Sequence, residues 1–326
     1  MNKNWWKESV VYQIYPRSYK DTSGNGLGDI DGIIEKLGHI KSLGVDIIWL
    51  CPIYESPNDD NGYDISDYRR ISDDFGGDES FDRLLKAIHN SGLKLIMDLV
   101  VNHTSDEHYW FDEAKKSKGN KYHNYYIWKK GNSKTPPNNW HSVFGGSAWK
   151  WNEKTKEYFL HLYTQKQPDL NWENSEVREE IYSIIDFWLD KGVDGFRMDV
   201  ISMISKRLAF EDIPDSMPIV ELMEKFYSNG PRVHEFIKEM NRKVLSKYDI
   251  VTVGEGPGIN LENALKYVSE KENELNMVFH FDHLFIDYGP KGKYDPIPID
   301  FIRFKKIFSQ WDNLLANKGW NSIFLG

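Results

Sequence analysis

The sequence predicts an α/β fold on a mostly parallel sheet, either an open doubly wound sheet or most of a (β/α)8 barrel. Three observations lead there. Short apolar runs alternate with amphipathic stretches of helical spacing. The run Lys94–Val101 is apolar on both faces, as a buried parallel strand is. No G-x-G-x-x-G follows the first strand, which counts against the dinucleotide-binding version of the open sheet.

Val10–Tyr15 reads as the first strand. After the glycine-rich loop Asp21–Gly28, Ile30–Leu43 has helical spacing and stops at Gly44, a suitable C-cap. Asp46–Leu50 is the second strand, and a polar loop leads to a helix over Ser80–Asn90, closed by Ser91-Gly92. Lys94–Val101 is the third strand. From Thr104 to Trp172 the alternation breaks into a stretch rich in Asn, Lys, Trp and Tyr, with turn signals at Pro136-Pro137 and Gly145-Gly146. So long an irregular stretch predicts a small inserted domain rather than a loop. Val177–Asp190 is then a helix and Gly195–Met198 a fourth strand. Helical stretches with an excursion at Ile213–Pro218 lead to a fifth strand, Ile250–Val253. Leu261–Ser269 is helical, Met277–Phe281 is a sixth strand, Ile302–Ala316 is a long amphipathic helix, and Trp320–Leu325 reads as a seventh strand. The expected division is a catalytic barrel over residues 1–103 and 173–326, with residues 104–172 as the insert.

A chain of 326 residues can bury a substantial core. Its net charge of −9 and the lack of a long basic run disfavour nucleic acid and anionic membranes as partners. The single cysteine, Cys51, excludes an internal disulfide and suits a reducing compartment. Met1–Ser9 has no apolar core of signal-peptide length, and no stretch approaches the roughly 18 apolar residues of a spanning helix. A soluble, cytoplasmic protein is expected.

Polar residues gather at the C-terminal ends of the expected strands, where barrel enzymes hold their chemistry. In Gly195-Phe-Arg-Met-Asp199, Arg197 and Asp199 are two apart and leave the same face of the strand. A neighbouring guanidinium would hold Asp199 ionised, as a nucleophile must be; the competing reading is a structural Arg–Asp pair. Val253-Gly-Glu255-Gly256 puts one carboxyl at the next strand end, where a second carboxylate would raise its proton affinity toward that of a general acid. Asp98, Asn102 and His103 end the third strand in the same way; Asp98 could brace Arg197 and His103 could bond a sugar hydroxyl.

Taken in order, Asp98–His103, Gln167-Pro-Asp-Leu-Asn171, Gly195–Asp199 and Glu255 resemble the α-amylase superfamily, glycoside hydrolase family 13. The motif at Gln167, with Asp60-Asn-Gly-Tyr-Asp64, Asn139-Trp140 and Asp282-His283, resembles its oligo-1,6-glucosidase and dextran glucosidase group, and the likeness runs from Trp5 to Gly326. The resemblance implies an incomplete (β/α)8 barrel of about seven strands with a second domain inserted after the third. It implies a retaining, exo-acting α-glucosidase with Asp199 as nucleophile and Glu255 as acid/base. Asp60, Tyr63, His103, Gln167 and Arg197 would bind the sugar, Asp98 and Asn102 would support them, and the insert would roof the pocket. Val200 is the residue type associated in this family with α-1,6 linkages, although Gly256 departs from the bulkier residue of many relatives. No cofactor is implied for catalysis. The loop Asp21-x-Ser23-x-Asn25-x-Leu27-x-Asp29 resembles the family's metal loop and implies a structural Ca2+ or Mg2+, against the alternative of a hydrogen-bonded glycine-rich turn. The family's third catalytic Asp is due just beyond Gly326, so the chain as given is expected to be an inactive fragment. A sucrose isomerase-like transglucosylase and a non-catalytic binding relative are the alternatives.

Overall fold

The structure, a computed structural model, describes residues 4–324 apart from positions 215, 216, 218 and 291. Six parallel strands form one curled sheet in sequence order: β1 (Val11–Ile14), β2 (Ile47–Leu50), β3 (Lys94–Val100), β4 (Gly195–Asp199), β5 (Val251–Glu255) and β6 (Met277–Phe279). Sequential order with helices between the strands is the winding of a (β/α)8 barrel, here incomplete, and not that of a doubly wound sheet whose order reverses. The helices on the outer face are α1 (Ile30–Ser42), α2 (Gly77–Asn90), α3 (Ser175–Lys191), α4 (Val233–Lys243), α5 (Ala264–Val268) and α6 (Phe301–Leu315).

Alternation along each strand sorts the side chains between two cores. Ile48, Leu50, Leu95, Met97, Phe196, Met198 and Val278 face the helices and join the large outer core. Ile47, Trp49, Ile96, Val251, Val253, Met277 and Phe279 face inward with Trp6. Inside the curl, between β1 and β6, lies a cavity of about 930 Å³ lined by Trp6, Trp49, Phe279, Trp320 and Phe324.

The expected seventh strand is not formed over Trp320–Phe324, and Leu325 lies outside the described residues. The segment turns its rings inward instead. Phe324 stacks on Phe279 at 4.6 Å, Trp320 meets Trp6 edge-on, and the Phe324 carbonyl accepts a hydrogen bond from His283. Its apolar spacing therefore serves side-chain packing, not a ladder beside β6. The excursion at Ile213–Pro218 is described only at 213, 214 and 217, and residues 1–3 of the expected leaderless N-terminus are outside the description. No helix among the described residues is long and apolar enough to cross a membrane.

Residues 104–172 contain a helix, Tyr109–Ala114, and a three-stranded antiparallel sheet of Trp128–Lys130, Glu157–Leu160 and Trp149–Asn152. Trp140, Trp149, Tyr158 and Leu160 pack in one cluster with Val200, Met203, Phe210 and Tyr227 from the chain after β4. The insert thus shares its core with the β4–α4 connection, which places it above the C-terminal ends of β3 and β4. The polar loop after β2 is less irregular than its sequence suggests: Tyr54–Glu55 pairs with Asp67–Ile71, and the turn between them carries Asp60 and Tyr63.

Candidate active site

The parallel register sets the site. Asp98 on β3 lies directly opposite Arg197 on β4, and Val100 opposite Asp199. Arg197 in turn lies opposite Val253 on β5, two residues before Glu255. Glycine makes this spacing attainable. At Gly195, with φ +147°, an added Cβ would stand 1.9 Å from the Val251 carbonyl oxygen, so only glycine lets β4 and β5 approach at their base.

Arg197 is the hub. Its Nη1 bonds Asp98 and lies 2.8 Å from Asp199, while Nη2 lies 2.8 Å from Glu255. The guanidinium also sits over the rings of Trp49 and Tyr63, at 5.4 and 5.7 Å. Asp98 is wholly buried; its second oxygen accepts from Trp49 Nε1 at 2.9 Å and its carbonyl from the Tyr54 hydroxyl. Asp98 does brace Arg197, which thereby stands between three carboxyl groups.

Burial dominates the protonation of that trio. Desolvation lifts Asp199 to about 6 and Glu255 to about 7, against the pull of Arg197 on both. Asp98 is raised by burial as well. One guanidinium divided among three buried carboxyls does not offset desolvation. The Asp199 charge adds to the lift that burial gives Glu255.

Val200 follows in the left-handed region, φ 35° and ψ 40°, a costly conformation for a β-branched residue. It turns the Val200 N–H onto Glu255 Oε2 at 3.1 Å. Its side chain is buried in the core shared with the insert.

A second wall comes from the β2 turn, the end of β3 and the insert. Gln167 Nε2 donates to Asp60 Oδ2 at 2.9 Å, and Gln167 Oε1 accepts from the Thr164 amide. His103 Nε2 lies 3.2 Å from the Tyr63 carbonyl and 3.1 Å from Gln167 Nε2; its Nδ1 lies 3.2 Å from Asn102 Nδ2. Tyr63 is half-buried, its hydroxyl 3.4 Å from Asp98. Burial raises Asp60 and lowers His103, so His103 is neutral near pH 7. The structure thus brings together Asp60, Tyr63, Asp98, Asn102, His103, Gln167, Arg197, Asp199, Val200 and Glu255. Asp282 and His283, just past the end of β6, are bonded to Trp311 and Phe324.

The Asp21–Asp29 loop lies away from this group and closes on itself. Asp21 accepts from the Gly24 and Gly26 amides, Asn25 from the Leu27 amide, and Asp29 from Thr22 while capping α1 through the Gly32 amide. The carboxylate oxygens of Asp21 and Asp29 thus face N–H groups of the loop itself.

Three further residues were missed in the sequence. Trp49 stands on the inner face of β2, and its alternation with Ile47 was the available signal. Tyr163 lies 5.2 Å from His103, its hydroxyl on Met203 Sδ. Lys206, the one charged residue after Asp199 in the stretch Val200–Lys206, is buried against Asp169 and Asn102.

Comparison with known proteins bears on this geometry. The family described as "Alpha amylase, catalytic domain" matches residues 13–326. The oligo-1,6-glucosidase of Parageobacillus thermoglucosidasius is 57% identical across the whole chain, and that of Bacillus cereus 53% identical across 99%. Among solved structures, the trehalose-6-phosphate hydrolase of Bacillus licheniformis superposes with a TM-score of 0.93 at 51% identity, covering 99% of the chain and 57% of that structure. The isomaltulose synthase of Protaminobacter rubrum superposes with a TM-score of 0.93 at 45% identity over 98% of the chain and 57% of that structure. The chain spans about 58% of the length of the two glucosidases.

Proposed function

Since the chain belongs to the α-amylase family, we propose that it carries the nucleophile and the acid/base of a retaining, exo-acting α-glucosidase that releases glucose from the non-reducing end of α-1,6-linked oligosaccharides. The observation that carries the reading is the knot of Asp98, Asp199 and Glu255 on one guanidinium. Carboxyls of a retaining pair stand about 5–5.5 Å apart, against about 6.5–9.5 Å in an inverting pair, and sharing the two terminal nitrogens of one guanidinium favours the closer spacing.

In the first step Asp199, the more acidic of the pair, attacks the anomeric carbon. Glu255 gives its proton to the glycosidic oxygen, and the aglycone leaves. Water then enters, Glu255 takes a proton from it, and the glucosyl ester at Asp199 is hydrolysed with the configuration retained. Arg197 orients the nucleophile. His103, Gln167, Asp60 and Tyr63 form the wall that receives the glucose, supported by Asp98 and Asn102. Residues 104–172 act as an inserted domain over the pocket, and residues 1–103 and 173–326 as the barrel. The chemistry needs no cofactor. Cys51, the single cysteine, suits a cytoplasmic location, and the partner is a small oligosaccharide.

The 1,6-linkage rests on Val200 and on the oligo-1,6-glucosidases among the relatives. The test compares aryl α-glucoside, isomaltose and maltose cleavage by the 326-residue chain and by the same chain carried on to its relatives' length. Turnover of none of these by either form overturns the glucosidase reading. Faster cleavage of maltose than of isomaltose overturns the linkage.

A further inference from the structure

Lys206 is 3% exposed, and its ammonium has three protons and no lone pair. Nζ lies 2.7 Å from Asp169 Oδ1 and donates at 2.5 Å to Asn102 Oδ1 and to the Met203 carbonyl. On its other side the Asn102 amide places Nδ2 3.0 Å from Asp169 Oδ1. The remaining Asp169 oxygen is taken by the Leu162 amide. Asn102 is therefore held between a buried cation and a buried anion. Turning its amide over would set NH2 against the ammonium and oxygen against the carboxylate.

We propose that Lys206 is a positioning residue that sets the tautomer of His103 through Asn102. With Asn102 Nδ2 oriented as a donor, His103 Nδ1 at 3.2 Å accepts, and the ring proton resides on Nε2. Nε2–H then donates to the Tyr63 carbonyl at 3.2 Å. The opposite tautomer would accept from Gln167 Nε2, 3.1 Å away. It would also set N–H against N–H at Asn102 and a lone pair against the Tyr63 carbonyl. One bond is gained and two are lost, so Nε2–H is favoured. Gln167 cannot turn to relieve its contact, since Thr164 and Asp60 fix its amide from both ends. Two N–H groups, from His103 and Gln167, consequently stand side by side. Both converge on the Tyr63 carbonyl, which accepts from His103 Nε2 at 3.2 Å and from Gln167 Nε2 at 3.4 Å; the tautomer does not rest on the proposed function.

The experiment reads the imidazole nitrogens directly, by long-range 1H–15N correlation on the 15N-histidine-labelled chain at neutral pH, with His103→Gln to assign the signal. The expected result is a single Nε2–H tautomer in the wild type. Lys206→Met frees the Asn102 amide and shifts the tautomer ratio about fivefold or more toward Nδ1–H, the change that loss of one neutral hydrogen bond produces. Asn102→Ser interrupts the same relay while leaving Lys206 paired with Asp169, and gives the same mixture if Lys206→Met does not fold. An Nδ1–H or doubly protonated ring in the wild type overturns the proposal, and so does an unshifted Nε2–H signal in the folded variants. The spectrum needs no turnover, so a failure of the glucosidase reading leaves this result standing.

Discussion

Replacing Glu255 by Gln should stabilise the folded chain above pH 7 and leave its stability nearly unchanged at pH 4.5. Glu255 is pushed up to about 7 in the folded protein from its usual 4.5, first by burial and then by Asp199. Between those values the folded chain holds a proton that the unfolded chain has released, so stability falls as pH rises through this window. A shift of about 2.5 units corresponds to about 3 kcal/mol, lost by pH 8 and fully present below about 4.5. Glutamine mimics the protonated acid. Its carbonyl can accept from Arg197 Nη2 and the Val200 amide. Arg197 keeps Asp98 and Asp199, so no buried cation is abandoned. Urea denaturation of both proteins from pH 4.5 to 8.5 should give a difference near zero at the acid end, growing to about 3 kcal/mol at the alkaline end. In a thermal scan that corresponds to roughly 4–5 °C for a chain this long. A variant that is less stable than wild type at pH 8, or a difference flat across the range, would refute the assignment of an elevated, burial-driven affinity to Glu255.

Three further outcomes are expected. Arg197→Met leaves Asp98 buried without a cation and should cost about 3–5 kcal/mol at pH 8, less at pH 5 where the carboxyls can protonate; a loss under about 1 kcal/mol in urea denaturation would show that Arg197 is not the hub. In an active form, kcat/KM should follow a narrow bell between about 6 and 7, because Asp199 must be ionised while Glu255 keeps its proton, and the two apparent values belong to the coupled pair; a flat rate from pH 5 to 9 would contradict this. Calcium at 5 mM, compared with a chelator, should move the unfolding midpoint by less than about 1 °C. A rise of about 3 °C is what an affinity near 0.1 mM would produce, and it would mean that Asp21 and Asp29 trade their amide partners for a cation.

The barrel was legible because its strands carry two signals at once. Ile47, Trp49 and Ile48, Leu50 divide between inner and outer cores by simple alternation. The same alternation puts Arg197 and Asp199 on one face, so their meeting could be read from two residues' spacing. The contact between Asp60 and Gln167 spans 107 positions, and only the resemblance to a family brought those residues into one expectation. Trp320–Phe324 misled because a strand and an inward-packed aromatic segment share an apolar pattern; what separates them is whether a neighbour's backbone is within reach. Burial misled in another way. Spacing brought Asp98 and Asp199 to Arg197 in expectation, but did not show that Glu255 would draw on the same guanidinium. The loop at Asp21 is ambiguous at its root, since alternate oxygens serve both a cation and a chain of Asx turns.

The proposed division of labour between Asp199 and Glu255 follows from counting charges. One buried guanidinium faces three carboxyls, and ionising all three would leave two uncompensated negative charges in a desolvated site. At least one proton must therefore be retained, and the local donors decide where. Asp98 accepts from Arg197 and Trp49 and sits deepest. Asp199 accepts from Arg197. Glu255 has Arg197 and one backbone amide, the amide that Val200 presents from its strained left-handed turn. It also faces the ionised Asp199, which makes its own ionisation costlier. The retained proton consequently rests on the carboxyl with the more exposed side chain, 19% against 9%, from which it can be handed to an incoming oxygen. On the proposed function, a site with one more cation would lose its acid, and one without Arg197 would lose its nucleophile.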